Sequence, residues 1–281
     1  MGHNPSLNGA GLPRLPLDLH RYEKNIAIFW SVLILSSGIL PIVGYFALHY
    51  GTDLELNIVL APFLGFTGVT SIFSLIKRSW ELTKKDSNCR PLGQQSRWGL
   101  DFFGWNFLFG FIALTMLISL GIGLEVLRAV SLPLSVLVFY VCLELLLAQA
   151  LMAAGVRAPL RISSVAKGQV LRPGSYVIVE DVVAVDGGQG QGFRRAWNER
   201  YEASRAMRTH LRKMDLMWAG SGMVLVAVVV GVVFGAEERE VGYAVGWSLP
   251  WVWAGTMAYI TTQLSKAMLI KEAREQQHAG V

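Results

Sequence analysis

Three groups of side chains in this sequence have the chemistry to do work. Glu144 stands alone within an apolar run. Glu180, Asp181 and Asp186 follow close together in a valine-rich stretch, Arg172-Pro-Gly-Ser-Tyr-Val-Ile-Val-Glu-Asp-Val-Val-Ala-Val-Asp186. Arg194, Arg195, Arg200 and Tyr201 come next, after a run of glycine and glutamine at 187–192. The carboxyl groups are candidates for catalytic work, and the three arginines with the tyrosine are candidates for substrate binding.

An ionisable side chain in the middle of a membrane-spanning helix costs roughly 2.5–3.5 kcal/mol on insertion scales, so Glu144 needs a partner or a wet cavity. The functional expectation is a proton carrier, ion ligand or general acid inside a helix bundle. The structural alternative is a protonated carboxyl bonded to a neighbouring helix. Matching residues by depth sets Asn106 beside Gln149, nearer one face of the membrane.

The acidic trio offers oxygen ligands of the kind Mg²⁺ takes, although its spacing fits no metal motif. The alternative is a segment that rests its valines on the bilayer and keeps its carboxylates wet. Propensity leaves strand and helix both open over 175–186: the β-branched residues favour a strand, while Pro173 and the glycines at 187–188 frame a short helix. The glycine run has backbone amides for a phosphate but no Lys-Ser/Thr ending, and is expected to be a flexible tether. From Phe193 onward the apolar residues recur with helical spacing. This predicts a basic amphipathic helix, with Arg194 and Arg195 pointing away from its apolar arc and Arg200 and Arg208 on or near it. Those two arginines are expected to snorkel or to pair with the acidic trio.

These groups must be positioned by elements that are mostly apolar. Of 281 residues, 53% are hydrophobic and 16% charged, too few charges for an ordinary soluble domain. Runs long enough to cross a hydrocarbon core of about 30 Å fall at about 26–48, 57–76, 102–123, 132–154, 217–235 and 241–263. The expected fold is all-α: a polytopic membrane protein with six transmembrane helices and a cytosolic insert between helices 4 and 5. Its parts are an N-terminal tail (1–25), helices 1–4 (26–154), the insert (155–216), helices 5–6 (217–263) and a C-terminal tail (264–281).

Alternate connections hold 23 basic residues against 2, which orients both termini and both long loops toward the cytosol. A net charge of +5 distributed in this way argues against nucleic acid as a partner. Cys89 and Cys142 fall in a polar loop and in a span, so no disulfide is expected between them. No histidine cluster, zinc spacing, nucleophile elbow or dinucleotide fingerprint is present, so no metal site is expected and no cofactor is named.

Across about 161–216, the Arg172-Pro-Gly-x-Tyr-x-Ile-x-Glu-Asp-Val-Val-Ala-Val-Asp-Gly-Gly motif and the Phe-Arg-x-x-Trp-x-x-Arg-Tyr-Glu-Ala-Ser motif after it resemble a set of uncharacterised multi-pass membrane proteins of filamentous fungi. The resemblance implies a protein of the endoplasmic reticulum or plasma membrane and attaches no activity. Three classes of function fit the residues. The first is a membrane-embedded enzyme or accessory acting on a lipophilic small molecule, as in fungal specialised metabolism. The second is a transporter or channel, and the third a scaffold that docks partners through its insert. The bilayer itself is the one partner the composition identifies.

Overall fold

The computed structural model describes residues 31–279 apart from 33, 95 and 97. The start of the first expected span lies outside those residues. The described chain is helical: a π-helical turn at Leu35–Ile39 runs into α1 (Leu40–Gly51), followed by α2 (Leu56–Thr83), α3 (Phe102–Gly123) and the short α4 (Leu127–Val130). Then come α5 (Pro133–Ala153), α6 (Gly174–Val185), α7 (Gly190–Ala203), α8 (Arg205–Gly235) and α9 (Arg239–Ala279). Among the described residues only two isolated β-bridges occur, Arg157 with Val170 and Ile162 with Val165, both in the connection between α5 and α6.

Four of these helices are long and apolar enough to cross a membrane: α2 from Ile58, α3, α5 and α8. The segment expected to form the last span lies in α9, whose Trp, Tyr, Gly and Pro residues dilute its hydropathy. Many of its aromatic groups are spent on internal packing. Trp247 is buried and donates from Nε1 to the carbonyl of Val130 at 2.9 Å, and buried Tyr243 donates to the carbonyl of Pro41 at 3.1 Å. The backbone of α9 comes so close here that a Cβ on Gly246 would stand 2.0 Å from the carbonyl oxygen of Ser131.

Helices α5, α8 and α9 pack side by side, while α1, α2 and α3 pack in chain order and α9 also meets α1 and α4. Local rules set the starts. Asp101 caps α3 by accepting from the amide of Gly104 at 2.8 Å, and Pro133 opens α5. Ser204 caps α8 by accepting from the amide of Met207 at 3.0 Å.

Ser204 also corrects the expected single amphipathic helix. Its extended backbone (φ −102°, ψ 114°) breaks the run into α7 and α8, and α8 carries the rest into the apolar span. The 187–192 stretch is no free tether either. Gly188 and Gly190 take left-handed φ values of 65° and 61°, and the amide of Gln191 donates to the carbonyl of Asn88 at 2.6 Å. A Cβ on Gly190 would stand 2.6 Å from that same oxygen, so a glycine is required where α7 begins.

The ambiguous valine-rich segment is the helix α6. Asp215 of α8 accepts from the first two amides of α6, Gly174 and Ser175, both at 2.8 Å, which satisfies donors the helix start leaves open. Tyr176, Val177, Ala184 and Val185 are then buried, most of them against Phe193, Trp197, Tyr201, Met207 and Leu211. The insert therefore has its own core, seated on the end of the bundle where α3 begins.

Candidate functional site

Two polar constructions stand at this end of the bundle. The first is a buried ion network. Arg194 of α7 is fully buried and reaches Asp181 Oδ1 at 2.6 Å, Glu180 Oε1 at 3.2 Å and Asp101 Oδ2 at 3.3 Å, while its Nε donates to the carbonyl of Cys89 at 3.1 Å. Arg78, near the end of α2, donates to Asp101 Oδ2 at 2.6 Å and to Asp186, and its guanidinium lies 4.7 Å over the ring of Phe103. Asp181 Oδ2 also accepts from the Ser163 hydroxyl at 2.5 Å and from the amide of Phe103 at 3.1 Å, and Glu180 accepts from the Ser164 hydroxyl. Ser163 holds this position with a left-handed φ of 48°, a conformation that costs roughly 1–2 kcal/mol for a residue with a Cβ.

Four carboxyl groups thus face two guanidinium groups. Burial pushes the Asp101 carboxyl up to about 6, helped by the charge of Asp181 and opposed by Arg78 and Arg194. Burial likewise raises Glu180 to about 6 against the pull of Arg194 and Ser164. Glu180 Oε2 and Arg78 Nε are buried without a hydrogen-bond partner among the described residues. Buried charges are retained when each has partners close by, and here the partners come from α2, α3, α6, α7 and the loop before α6.

This geometry changes the expectation of wet carboxylates on a segment resting at the bilayer. Glu180 and Asp181 have no exposed surface, and Asp186 alone of the trio is open to solvent. Among the described residues no group of three His, Cys, Asp or Glu is arranged to hold a metal ion; guanidinium, hydroxyl and amide donors take up the carboxylates instead.

Of the expected binding residues, Arg194 points inward rather than away from the apolar arc, and Arg195 is exposed with Gln191 as its neighbour at 3.3 Å. Tyr201 is buried with its ring 4.7 Å from that of Tyr176. Arg200 is paired with Glu272 of α9 at 2.6 Å rather than with the acidic trio, and Ser204 donates to the same carboxylate. Arg208 donates to the carbonyls of Tyr201 and Glu202, at 2.9 and 2.6 Å.

The second construction is a groove of about 900 Å³ along α3 and α5. Trp105, Phe109 and Tyr140 form its apolar wall, with Asn106 among them. Gly93, Gln94, Ser96 and Gly99 on one loop, with Leu160, Arg161 and Ser163 on another, form its rim. Glu144 stands behind this wall. Asn106 Nδ2 donates to Glu144 Oε2 at 2.6 Å, and the Tyr140 hydroxyl donates to Asn106 Oδ1 at 3.1 Å. The depth pairing of Asn106 with Gln149 is therefore replaced: Gln149 donates to Asp215 at 2.6 Å instead.

Sequence reasoning passed over Arg78, Asp101, Ser163, Ser164, Asp215 and Glu272. Asp101 had a visible signal, a helix-capping residue directly before an apolar run. The others act across 16 to 108 residues of chain, where spacing carries no trace of the partner.

Neither the curated proteins nor the solved structures give a match to this sequence. A family described as a domain of unknown function, DUF8766, matches residues 3–276, nearly the whole chain, and the protein belongs to that family.

Proposed function

We propose that this is a six-span integral membrane protein, with both termini and the 155–216 insert in the cytosol, that binds a lipophilic small molecule in the groove between α3 and α5. It acts there as a membrane-embedded enzyme or as the accessory of one. The four long apolar helices and the packing of α1 and α9 against them support the span count. The excess of basic residues in alternate connections supports the orientation.

One observation carries the binding reading: Asn106 and Tyr140 line the groove, Asn106 donates to Glu144, and Tyr140 donates in turn to Asn106. A groove of this size, walled by aromatic rings and carrying a few convergent polar groups, has the make-up of a small-molecule site. Tyr140 and Asn106 can orient a polar group on an otherwise apolar ligand. Glu144, kept in the apolar layer at a cost, supplies a carboxyl able to hold a proton directly behind them.

The test is the set of lipophilic molecules that co-purify with the protein, read by mass spectrometry at equal protein abundance. The wild type should retain a defined species, and Trp105→Ala and Asn106→Leu should each lose most of it. Glu144→Gln should fold and retain it, because shape and hydrogen bonding survive. An unchanged bound set in both groove variants would overturn the reading.

A further inference from the structure

We infer that the groove selects an amphiphile with a single anionic head, carboxylate or phosphate, held by Arg161 at the rim while the apolar body lies along α3. This names the ligand class for the groove proposed above and rests on that reading.

The rim is built to keep one cation in place. Arg161 is exposed, and its Nη1 donates to the carbonyl of Leu92 at 2.7 Å, which anchors the side chain over the opening. No carboxylate pairs with it among the described residues, in contrast to Arg78, Arg172, Arg194 and Arg200. Gly93, with φ 72°, lies beside the second nitrogen: a Cβ there would stand 3.4 Å from Arg161 Nη2. In the same stretch of loop, Gln94 Nε2 donates to the carbonyls of Ser96 and Gly99, at 3.1 and 3.0 Å, and ties the rim together.

Below the rim the character changes. Trp105 and Phe109 are stacked one turn apart, with ring centroids 5.9 Å from each other, and both are largely exposed on the groove side of α3. From the level of Asp101 to that of Phe109 the helix descends roughly 12 Å, so an apolar body of that length fits beneath a head at the rim. Trp98, within the same loop, is exposed, as suits a side chain at the membrane–water boundary. A guanidinium with free donors in a fork matches carboxylate and phosphate oxygens, and the charge-assisted bond strengthens as water is displaced.

The experiment uses the full chain in nanodiscs of neutral phosphatidylcholine at pH 8, with three probes of one brominated chain: the free acid, the alkyl phosphate and the methyl ester. Bromine quenching of Trp105 is isolated as the difference between the wild type and Trp105→Phe. The acid, the phosphate or both should half-saturate at about tenfold lower concentration than the ester, and Arg161→Gln should remove that advantage without weakening the ester. Arg161→Lys should restore part of it. The stronger of the two anionic probes identifies the head. Equal binding of acid, phosphate and ester, or an Arg161→Gln variant that keeps the preference, overturns the anionic head and leaves the groove standing. No Trp105-dependent quenching by any probe overturns both.

Discussion

Arg194 Nη1 lies 2.6 Å from Asp181 Oδ1, so the charge that the helical pattern of α7 turns outward is the one holding α7 to α6. Both side chains are fully buried. Removing one partner strands the other, which costs about 3–5 kcal/mol in buried pairs. Asp181→Asn and Arg194→Gln should each lower the thermal stability of the purified protein by that order, and the double variant should be little worse than either. Arg200 belongs to a separate pair with Glu272, so Asp181→Asn combined with Arg200→Gln should be additive. Additivity in the first pair, or strong coupling in the second, would contradict the geometry.

Protons should tighten the network. In the folded chain Asp101 and Glu180 are both raised to about 6, against ordinary values of 3.8 and 4.5, so the fold holds their protons more tightly than the unfolded chain does. Stability from these two groups is therefore fully present below about 4, is lost as pH rises through about 6, and is level above that. Lowering the pH from about 7.5 to about 5.5 should stabilise the wild type on the order of 1 kcal/mol by thermal unfolding in detergent. Asp101→Asn, which keeps the helix cap but cannot ionise, should show a smaller gain. A steeper pH dependence in that variant than in the wild type would exclude this account.

Topology is testable at sites the fold leaves open. Residues 167–170 are exposed, whereas 187–192 are folded into the start of α7, so the former suit an inserted tag and the latter do not. A tag at 167–170 should be reached from the cytosolic face alone, and one in the 236–240 connection from the opposite face alone. Detection of both from one side would remove the six-span arrangement.

The four helices able to cross a membrane, α2, α3, α5 and α8, were legible because a continuous apolar run has few alternatives once it exceeds the bilayer thickness. The 241–263 segment of α9, expected as the last span, is not among them, and its Tyr243 and Trp247 serve interior hydrogen bonds as well as apolar packing. Over 174–185 the valines favoured a strand by propensity. Capping by Asp215, thirty residues beyond the segment, and burial against α7 decide for helix, and neither is a property of the segment itself. Arg194 was misplaced for a related reason. A helical wheel assumes one covered face, whereas α7 is covered on a second side by the loop at Cys89 and the cap at Asp101. Glu144 stood out because a lone carboxylate in an apolar run is conspicuous. Its partner Asn106 did not, because depth matching ignores helix rotation.

The pair Arg200–Glu272 also fixes an order of events during synthesis. The two residues are 72 apart in the chain, and at 5–20 residues per second the ribosome needs roughly 4–14 s to make the second after the first. Throughout that interval the insert lacks the carboxylate that accepts from both Arg200 and Ser204. The insert is completed only when α9 has been made and its Glu272 end lies beside α7. Delivery of Glu272 thereby reports that the last helix has been made and packed, and a chain stalled before it lacks this ion pair.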